Sequence, residues 1–334
     1  MRQFPRPVVV VSKCLGFDHC RYNGDMIPDE FVARLGPYVE YIPVCAEVEI
    51  GLGVPRPPIN VVAVQGEERL MQPATGRDVS AEMRAFAAQF LGSLPAVDGF
   101  ILKSRSPSCG IKDVKLRAAN GRGIVGTTSG FFGRAVMERF PHAAIEDEGR
   151  LSNFRIRQHF LTRLFALAAW REVREARSMR RLVQFHAENK LLLMAYNQKE
   201  MRLLGRIVAN PEKRPLDAVL ADYEAHLAEA LRVAPRCTSA INVLMHGFGY
   251  FSQALTPEEK RFFLDALQQY RAGKLPLIAP LTLMQSYGIR FPREYLDQQT
   301  FFHPYPEALV ELTDSGKEMA CLEEAQRQRK AAAA

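Results

Sequence analysis

Four valines and a serine, VVVVS at 8–12, make an unbroken apolar run near the start of the chain, which predicts a strand covered on both faces. The segment DEFVARLG (29–36) reads as a short helix, and VEYIPVC (39–45) as a second strand. NVVAVQG (60–66) followed by RLMQP (69–73) predicts a hairpin. DVSAEMRAFAAQFLGSL (78–94) has helical spacing, with Asp78 or Ser80 as its cap. VDGFILKS (97–104) predicts a third buried strand, SGFFGRAVMERF (129–140) a helix, and AAIEDEG (143–149) a last short strand. Strands alternating with helices imply an α/β domain with a largely parallel sheet in Rossmann-like layers.

The strand pattern stops after residue 150. Segments 154–176, 180–209, 215–233, 237–255, 257–273 and 276–289 all carry helical periodicity. TPEEK is an N-terminal signature: Thr256 caps, Pro257 opens the helix, and Glu258 and Glu259 fill its first turn. The expected organisation is an α/β domain over 1–150, a linking helix over 151–178, an all-α domain over 179–316 and a polar tail over 317–334.

The 334 residues are 47% apolar, enough to bury large cores, which excludes a disordered chain. No stretch of eighteen consecutive apolar residues occurs, so no membrane span is expected. The opening apolar run lacks a cleavage site and reads as a strand, which predicts a cytoplasmic protein.

Charge divides the chain. Residues 1–150 hold 18 Lys and Arg against 17 Asp and Glu, whereas residues 151–215 hold 14 against 5. An excess confined to one segment suggests a surface for a polyanion, with a solvated helix face as the plainer reading. The candidate nucleic-acid contacts are Arg155, Arg157, Arg174, Arg177, Arg180, Arg181, Lys190, Lys199, Arg202 and Arg206. Arginine dominates them, and its planar fork suits phosphate.

Three of the six cysteines share one address. Cys14 follows the first strand, Cys45 ends the second, and Cys109 follows the third. The carboxyl ends of parallel strands line one edge, where ligand sites form, so these distant cysteines can converge. Glycines flank them at Gly16, Gly51, Gly53 and Gly110. No C-x-x-C pair is present, which argues against a closed zinc ribbon. The residues alone leave a zinc site, an iron–sulfur site and plain core cysteines open. Cys20 lies in the first loop without an assigned role, and Cys237 and Cys321, in helical segments, are expected to be inert. His186 and His246 lie within apolar helical patterns and read as core residues.

The loops SKCLGFDHCRYNG (12–24), PVCAEVEIGLGVPRPP (43–58) and LKSRSPSCGIKDVK (102–115) resemble the three signature loops of the thiouracil desulfidases. Residues 180–300 resemble the helical domain of unknown function often fused to that module, and the fusion resembles the bacterial tRNA 4-thiouridine desulfidases. The resemblance implies a 4Fe–4S cluster held by Cys14, Cys45 and Cys109, with one open iron that captures the substrate's sulfur while water attacks the ring carbon. It also implies Glu47 as the base and Ser106 as a catalytic serine. The second loop departs from the family's Cys-Pro-Glu, reading Cys45-Ala46-Glu47, which keeps the carboxylate and loses a rigid proline.

The glycine-rich GRGIVGTTSGFFGR (121–134) is a candidate cradle for cluster sulfide or substrate phosphate. Arg21, Tyr22, Arg56, Lys103 and Arg105 are candidates for the pocket rim. The leading expectation is a desulfidase acting on 4-thiouridine in tRNA. Its alternatives are a desulfidase of free thiouracil or thiouridine nucleosides, an iron–sulfur nucleic-acid sensor without turnover, and a structural metal module.

Overall fold

A computed structural model of the chain describes residues 2–119 and 123–311. The described residues form two units, one of residues 3–171 with 305–311 and one of residue 2 with 172–304, so the division falls inside a helix. Cys321, Gly121, Arg122 and the predicted tail lie outside the described residues.

In chain order the first unit contains β1 (Val8–Ser12), α1 (Glu30–Leu35), β2 (Glu40–Val44), α2 (Ala46–Glu49), β3 (Asn60–Val64), β4 (Glu67–Gln72), β5 (Arg77–Asp78), α3 (Ser80–Ser93), β6 (Gly99–Leu102), β7 (Val114–Arg117), β8 (Ile124–Thr128), α4 (Phe131–Arg139), β9 (Ala144–Asp147) and α5 (Glu148–Leu151). Helix α6 (Phe154–Ala176) then crosses the division.

Four strands form an all-parallel sheet in the order β2-β1-β6-β9. Its alternation explains the valine run. Val9, Val11 and Ile101 enter a core with Val32, Leu35, Phe160 and Leu164, while Val10, Phe100 and Leu102 enter another with Met83, Ala87, Phe132 and Val136. Both faces are covered, so no position of the strand needs a polar residue. Pro43 is tolerated because β2 is an edge strand.

A second sheet, in the order β5-β4-β3-β7-β8, was not foreseen. The predicted hairpin is its β3–β4 pair, and β7 runs parallel to β3. Strand β7, VKLR, does alternate, with Val114 and Leu116 against the core, but four residues are too few to stand out, and β8, IVGTT, is largely exposed. The predicted caps of α3 act differently: the Asp78 carboxylate accepts from the Ser80 N–H, and the Ser80 hydroxyl accepts from Leu70 N–H.

The second unit is helical: α7 (Met179–Tyr196), α8 (Gln198–Ala209), α9 (Leu216–Ala230), α10 (Cys237–Gly249), α11 (Pro257–Arg271), α12 (Ile278–Arg290) and α13 (Glu294–Asp297). The single helix expected over 180–209 is two. Asn197 ends α7 in extended conformation and caps α8, its side chain accepting from Glu200 N–H. Thr256 and Glu259 form the capping box of α11. Phe248, Phe251, Phe263 and Tyr287 anchor this unit's core, which also absorbs Cys237. His186 is half-buried against the Tyr223 hydroxyl, and burial lowers its pKa to about 4. His246, expected in the core, is exposed. No described helix is long and apolar enough to cross a membrane.

Candidate active site at the cysteine-bearing strand ends

Strands β2, β1 and β6 are adjacent and parallel, so their carboxyl ends open on one edge. Cys45 directly follows β2, Cys14 lies two residues beyond β1, and Cys109 sits in the loop after β6. The loops are tied together by backbone bonds: Lys13 N–H donates to the Val44 carbonyl and Ile27 N–H to the Cys14 carbonyl.

A fourth thiol joins them. Cys20 is 3% exposed, within hydrogen-bonding range of the Cys14 and Cys45 thiols, and the Cys45 Sγ lies 3.7 Å from the Cys20 carbonyl. Sequence reading assigns Cys20 no role beyond that of a spare thiol in the Cys14 loop. The usable signal was its position six residues after Cys14 in the same loop. The hydrogen bond with Cys14 raises the Cys20 thiol to about 11, and the bond with Cys20 followed by burial raises Cys45. Burial, then the neighbouring Cys45, pushes Cys109 up to about 12. Among the described residues no three His, Cys, Asp or Glu side chains form a group able to hold a metal ion.

Glu47 sits in the first turn of α2, whose N-cap is Cys45. The Cys45 carbonyl accepts from both Val48 and Glu49 N–H. Ala46 therefore occupies N1, the position where proline is also at home, and the turn holds without it. Glu47 is 9% exposed and both of its oxygens are engaged. The Arg56 Nε donates to Oε2 at 2.9 Å, and the Ser108 hydroxyl donates to Oε1 at 2.7 Å.

Arg56, expected at the rim, is 7% exposed. Its remaining donors reach the carbonyls of Gly53 (2.8 Å) and Cys20 (3.0 Å), so one guanidinium joins the first loop, the second loop and Glu47. Lys103 pairs with Glu148, which also accepts from the Ser104 hydroxyl and N–H. Tyr22 and Arg105 are exposed, and Arg21 stacks over the Tyr22 ring.

Ser106 does not touch Glu47 directly. Its hydroxyl lies 2.9 Å from that of Ser108 and accepts from the N–H groups of Ser108 and Cys109. The α4 end of the glycine-rich segment is committed to packing, and its N–H groups are taken by backbone carbonyls. At the start of α4, Gly130, Phe131 and Gly133 N–H donate to the carbonyls of Gly110, Pro107 and Ser108. A Cβ on Gly130 would fall 2.5 Å from the Ser108 carbonyl oxygen, and one on Gly133 would fall 2.6 Å from that of Cys109. Glycine is required there for close approach to the Cys109 loop.

The arginines predicted to meet nucleic acid have different fates. Arg157 is 5% exposed and donates to the carbonyls of Leu151, Ser152 and Glu311, which makes it a structural anchor and removes it from the contact set. Arg155 is exposed, but it belongs with Arg157 to the α/β unit. In the helical unit Arg174 pairs with Glu224 and Arg177 with Asp217. Arg180, Arg181, Lys190, Lys199, Arg202 and Arg206 are exposed.

Residues 9–148 match the model of the 2-thiouracil desulfurase family, and residues 190–306 match DUF1722, a protein of unknown function. The uncharacterised protein YbgA of Escherichia coli (strain K12) is 31% identical over 158 residues, 47% of this chain and 93% of YbgA. The uncharacterised protein YbbK of Bacillus subtilis (strain 168) is 31% identical over 127 residues, 36% of this chain and 84% of YbbK. Among solved structures, the 4Fe–4S-dependent thiouracil desulfidase TudS is similar at 30% identity, over 44% of this chain and 93% of that chain, with a TM-score of 0.33. The chain belongs to the 2-thiouracil desulfurase family, with a desulfidase module over residues 9–148 followed by a DUF1722 domain over residues 190–306.

Proposed function

We propose that this protein is a non-redox iron–sulfur desulfidase that converts 4-thiouridine in tRNA to uridine. The observation that carries this reading is the placement of Cys14, Cys45 and Cys109 at the carboxyl ends of three adjacent parallel strands, with the Glu47 carboxylate bonded beside Cys109.

The donor set fits a 4Fe–4S cluster. The thiols are soft ligands of the kind iron–sulfur clusters take, and they come from three separate loops at one sheet edge. Cys14, Cys45 and Cys109 would hold the cluster, which supplies a Lewis-acidic iron for the exocyclic sulfur when bound. Replacing C=S by C=O requires no net electron transfer. It requires a water, a proton acceptor and an oriented base. Glu47 is the acceptor. Arg56 compensates its buried charge, and Ser108 fixes its second oxygen.

The helical unit supplies the RNA contacts, through Arg174, Arg177, Arg180, Arg181, Lys190, Lys199, Arg202 and Arg206. Support comes from the charge imbalance of 151–215 and from the exposure of these residues. A second reading, turnover of free thiouracil, is favoured by the pairing of Arg174 and Arg177 with neighbouring carboxylates, which weakens the local positive field.

Sulfide release from 4-thiouridine-bearing tRNA and from free 2-thiouracil separates the two readings. The proposal expects turnover of the tRNA, with a rate below saturation that falls steeply as salt rises, and a salt-insensitive free base. Turnover of free base alone would overturn the tRNA assignment and leave the desulfidase.

A further inference from the structure

We infer that the seam between α7 and α8 is a phosphate-binding groove for the backbone of RNA, formed by Lys190, Arg202, Arg206 and the Nε2 atom of His186. The groove rests on the reading that the helical unit docks RNA, and it fixes the face that does so.

A break and a gap make the seam. Asn197 ends α7 and caps α8, and the two helices pack on each other. A Cβ on Gly205 would lie 3.4 Å from His186 Nε2. Both residues are well removed from Asn197 in sequence, so α8 folds back along α7. One turn nearer the break stand Lys190 on α7 and Arg202 on α8, and Arg206 directly follows Gly205. The Tyr223 hydroxyl holds His186 Nδ1 at 3.1 Å. The missing side chain of Gly205 leaves Nε2 uncovered from the α8 side.

Charge selects the occupant. Lys190, Arg202 and Arg206 are exposed, and among the described residues none of them has an ion-pair partner. Elsewhere in the unit Arg174, Arg214 and Arg232 are paired with Glu224, Asp222 and Glu229. Helices α7 and α8 carry one carboxylate each, and both are engaged. Glu188 accepts from Arg2 and Gln184, and Glu200 is buried against His226. The positive field of the seam therefore stands uncompensated. Burial, then the neighbouring Lys190, lowers the His186 pKa to about 4, so the imidazole is neutral beside the three cations. Two planar guanidinium forks and an ammonium suit a row of phosphates.

An anionic membrane is the competing polyanion, but a helix lying on one also inserts large apolar side chains. The only one that α7 and α8 expose is Val183, whereas Phe262, Leu264 and Ile289 lie on α11 and α12. The seam is built for charge without insertion, which favours RNA.

The test titrates tRNA lacking 4-thiouridine into the full-length, iron-loaded protein at several salt concentrations, read by fluorescence anisotropy, so that binding is measured without turnover. Lys190→Gln combined with Arg202→Gln and Arg206→Gln should weaken binding by at least ~10-fold and lower the slope of log affinity against log salt by about 3, one for each phosphate contact. Arg214→Gln with Arg232→Gln removes cations that are already paired, and should change that slope by less than about 1. Gly205→Leu keeps every charge and improves helix propensity, so its thermal midpoint should hold or rise while tRNA binding weakens. Equal slope changes from the seam set and the paired set would overturn the groove, as would wild-type binding by Gly205→Leu. Seam-dependent binding to phosphatidylglycerol vesicles with no such dependence for tRNA would make the face a membrane surface and overturn it too. Seam-dependent tRNA binding without desulfidation of thiolated tRNA would uphold the groove and remove the proposed substrate. Desulfidation of thiolated tRNA with unchanged salt dependence in the triple variant would do the reverse.

Discussion

The two units bury polar groups for different ends. In the α/β unit, Glu47, Arg56, Ser12 and Ser108 are buried at the edge where the cysteine loops meet. Their bonds tie one loop to another: Arg56 reaches Glu47, Gly53 and Cys20, and Ser12 accepts from Lys103 N–H. In the helical unit, Asn189, Gln299 and Thr300 are buried between α7 and the segment after α13. Gln299 accepts from Leu191 N–H and donates to the Ala187 carbonyl, and Thr300 donates to Asn189. Those bonds satisfy backbone groups and fix packing, and no thiol or unshielded nucleophile is among them. Each unit also buries a paired carboxylate, Glu47 with Arg56 and Glu200 with His226; what sets Glu47 apart is its place between two cysteine-bearing loops.

Removing thiols should break this contrast most completely. Cys14→Ala, Cys45→Ala and Cys109→Ala are each expected to lose the cluster, while Cys237→Ala, packed in the helical core, keeps it. Iron and sulfide analysis of the four proteins checks this.

Next in size is Arg56→Ala, which leaves Glu47 buried without its cation. Breaking such a pair costs about 3–5 kcal/mol. Denaturant midpoints should show the loss, and desulfidation should fall with it.

Gln299→Ala is the matching change in the other unit. It leaves the Leu191 N–H and the Ala187 carbonyl without their partner, at about 1–3 kcal/mol for a buried group left unsatisfied. Stability should drop while the specific activity of the folded enzyme stays at the wild-type value. A large loss of activity there would dissolve the distinction between the units.

How far these sites were legible in the sequence follows from the same contrast. The three strand-end cysteines were visible because a buried parallel strand advertises itself as an apolar run, and the residue after it is then placed by topology. The partners of Arg56 and Cys20 were not, because they are set by tertiary bonds between loops, which leave no periodic trace. Ser106 was chosen over Ser108 from the loop motif. Only the orientation of the loop after β6 shows that Ser108 is the one against Glu47. The second sheet was missed because β7 alternates over four residues only and β8 is largely exposed, and the α7–α8 break because apolar spacing runs on past Asn197. Arg157 looked like part of a basic surface, since net charge along a chain does not say which guanidinium turns inward.

The smallest expected effect concerns the basic surface. Arg180→Glu with Arg181→Glu should weaken tRNA binding and lower the slope of log affinity against log salt by about 2, one for each phosphate contact. Turnover of a free thiobase should be unchanged. Equal damage to both substrates would mean that these residues support the fold and do not dock RNA.

The proposed function stands on the three strand-end cysteines carrying the reactive centre. Metal and acid-labile sulfide content of the anaerobically purified wild-type protein tests it most directly. The expected result is a brown protein with about four irons and about four sulfides per chain. A colourless protein holding a single zinc and no sulfide would contradict it.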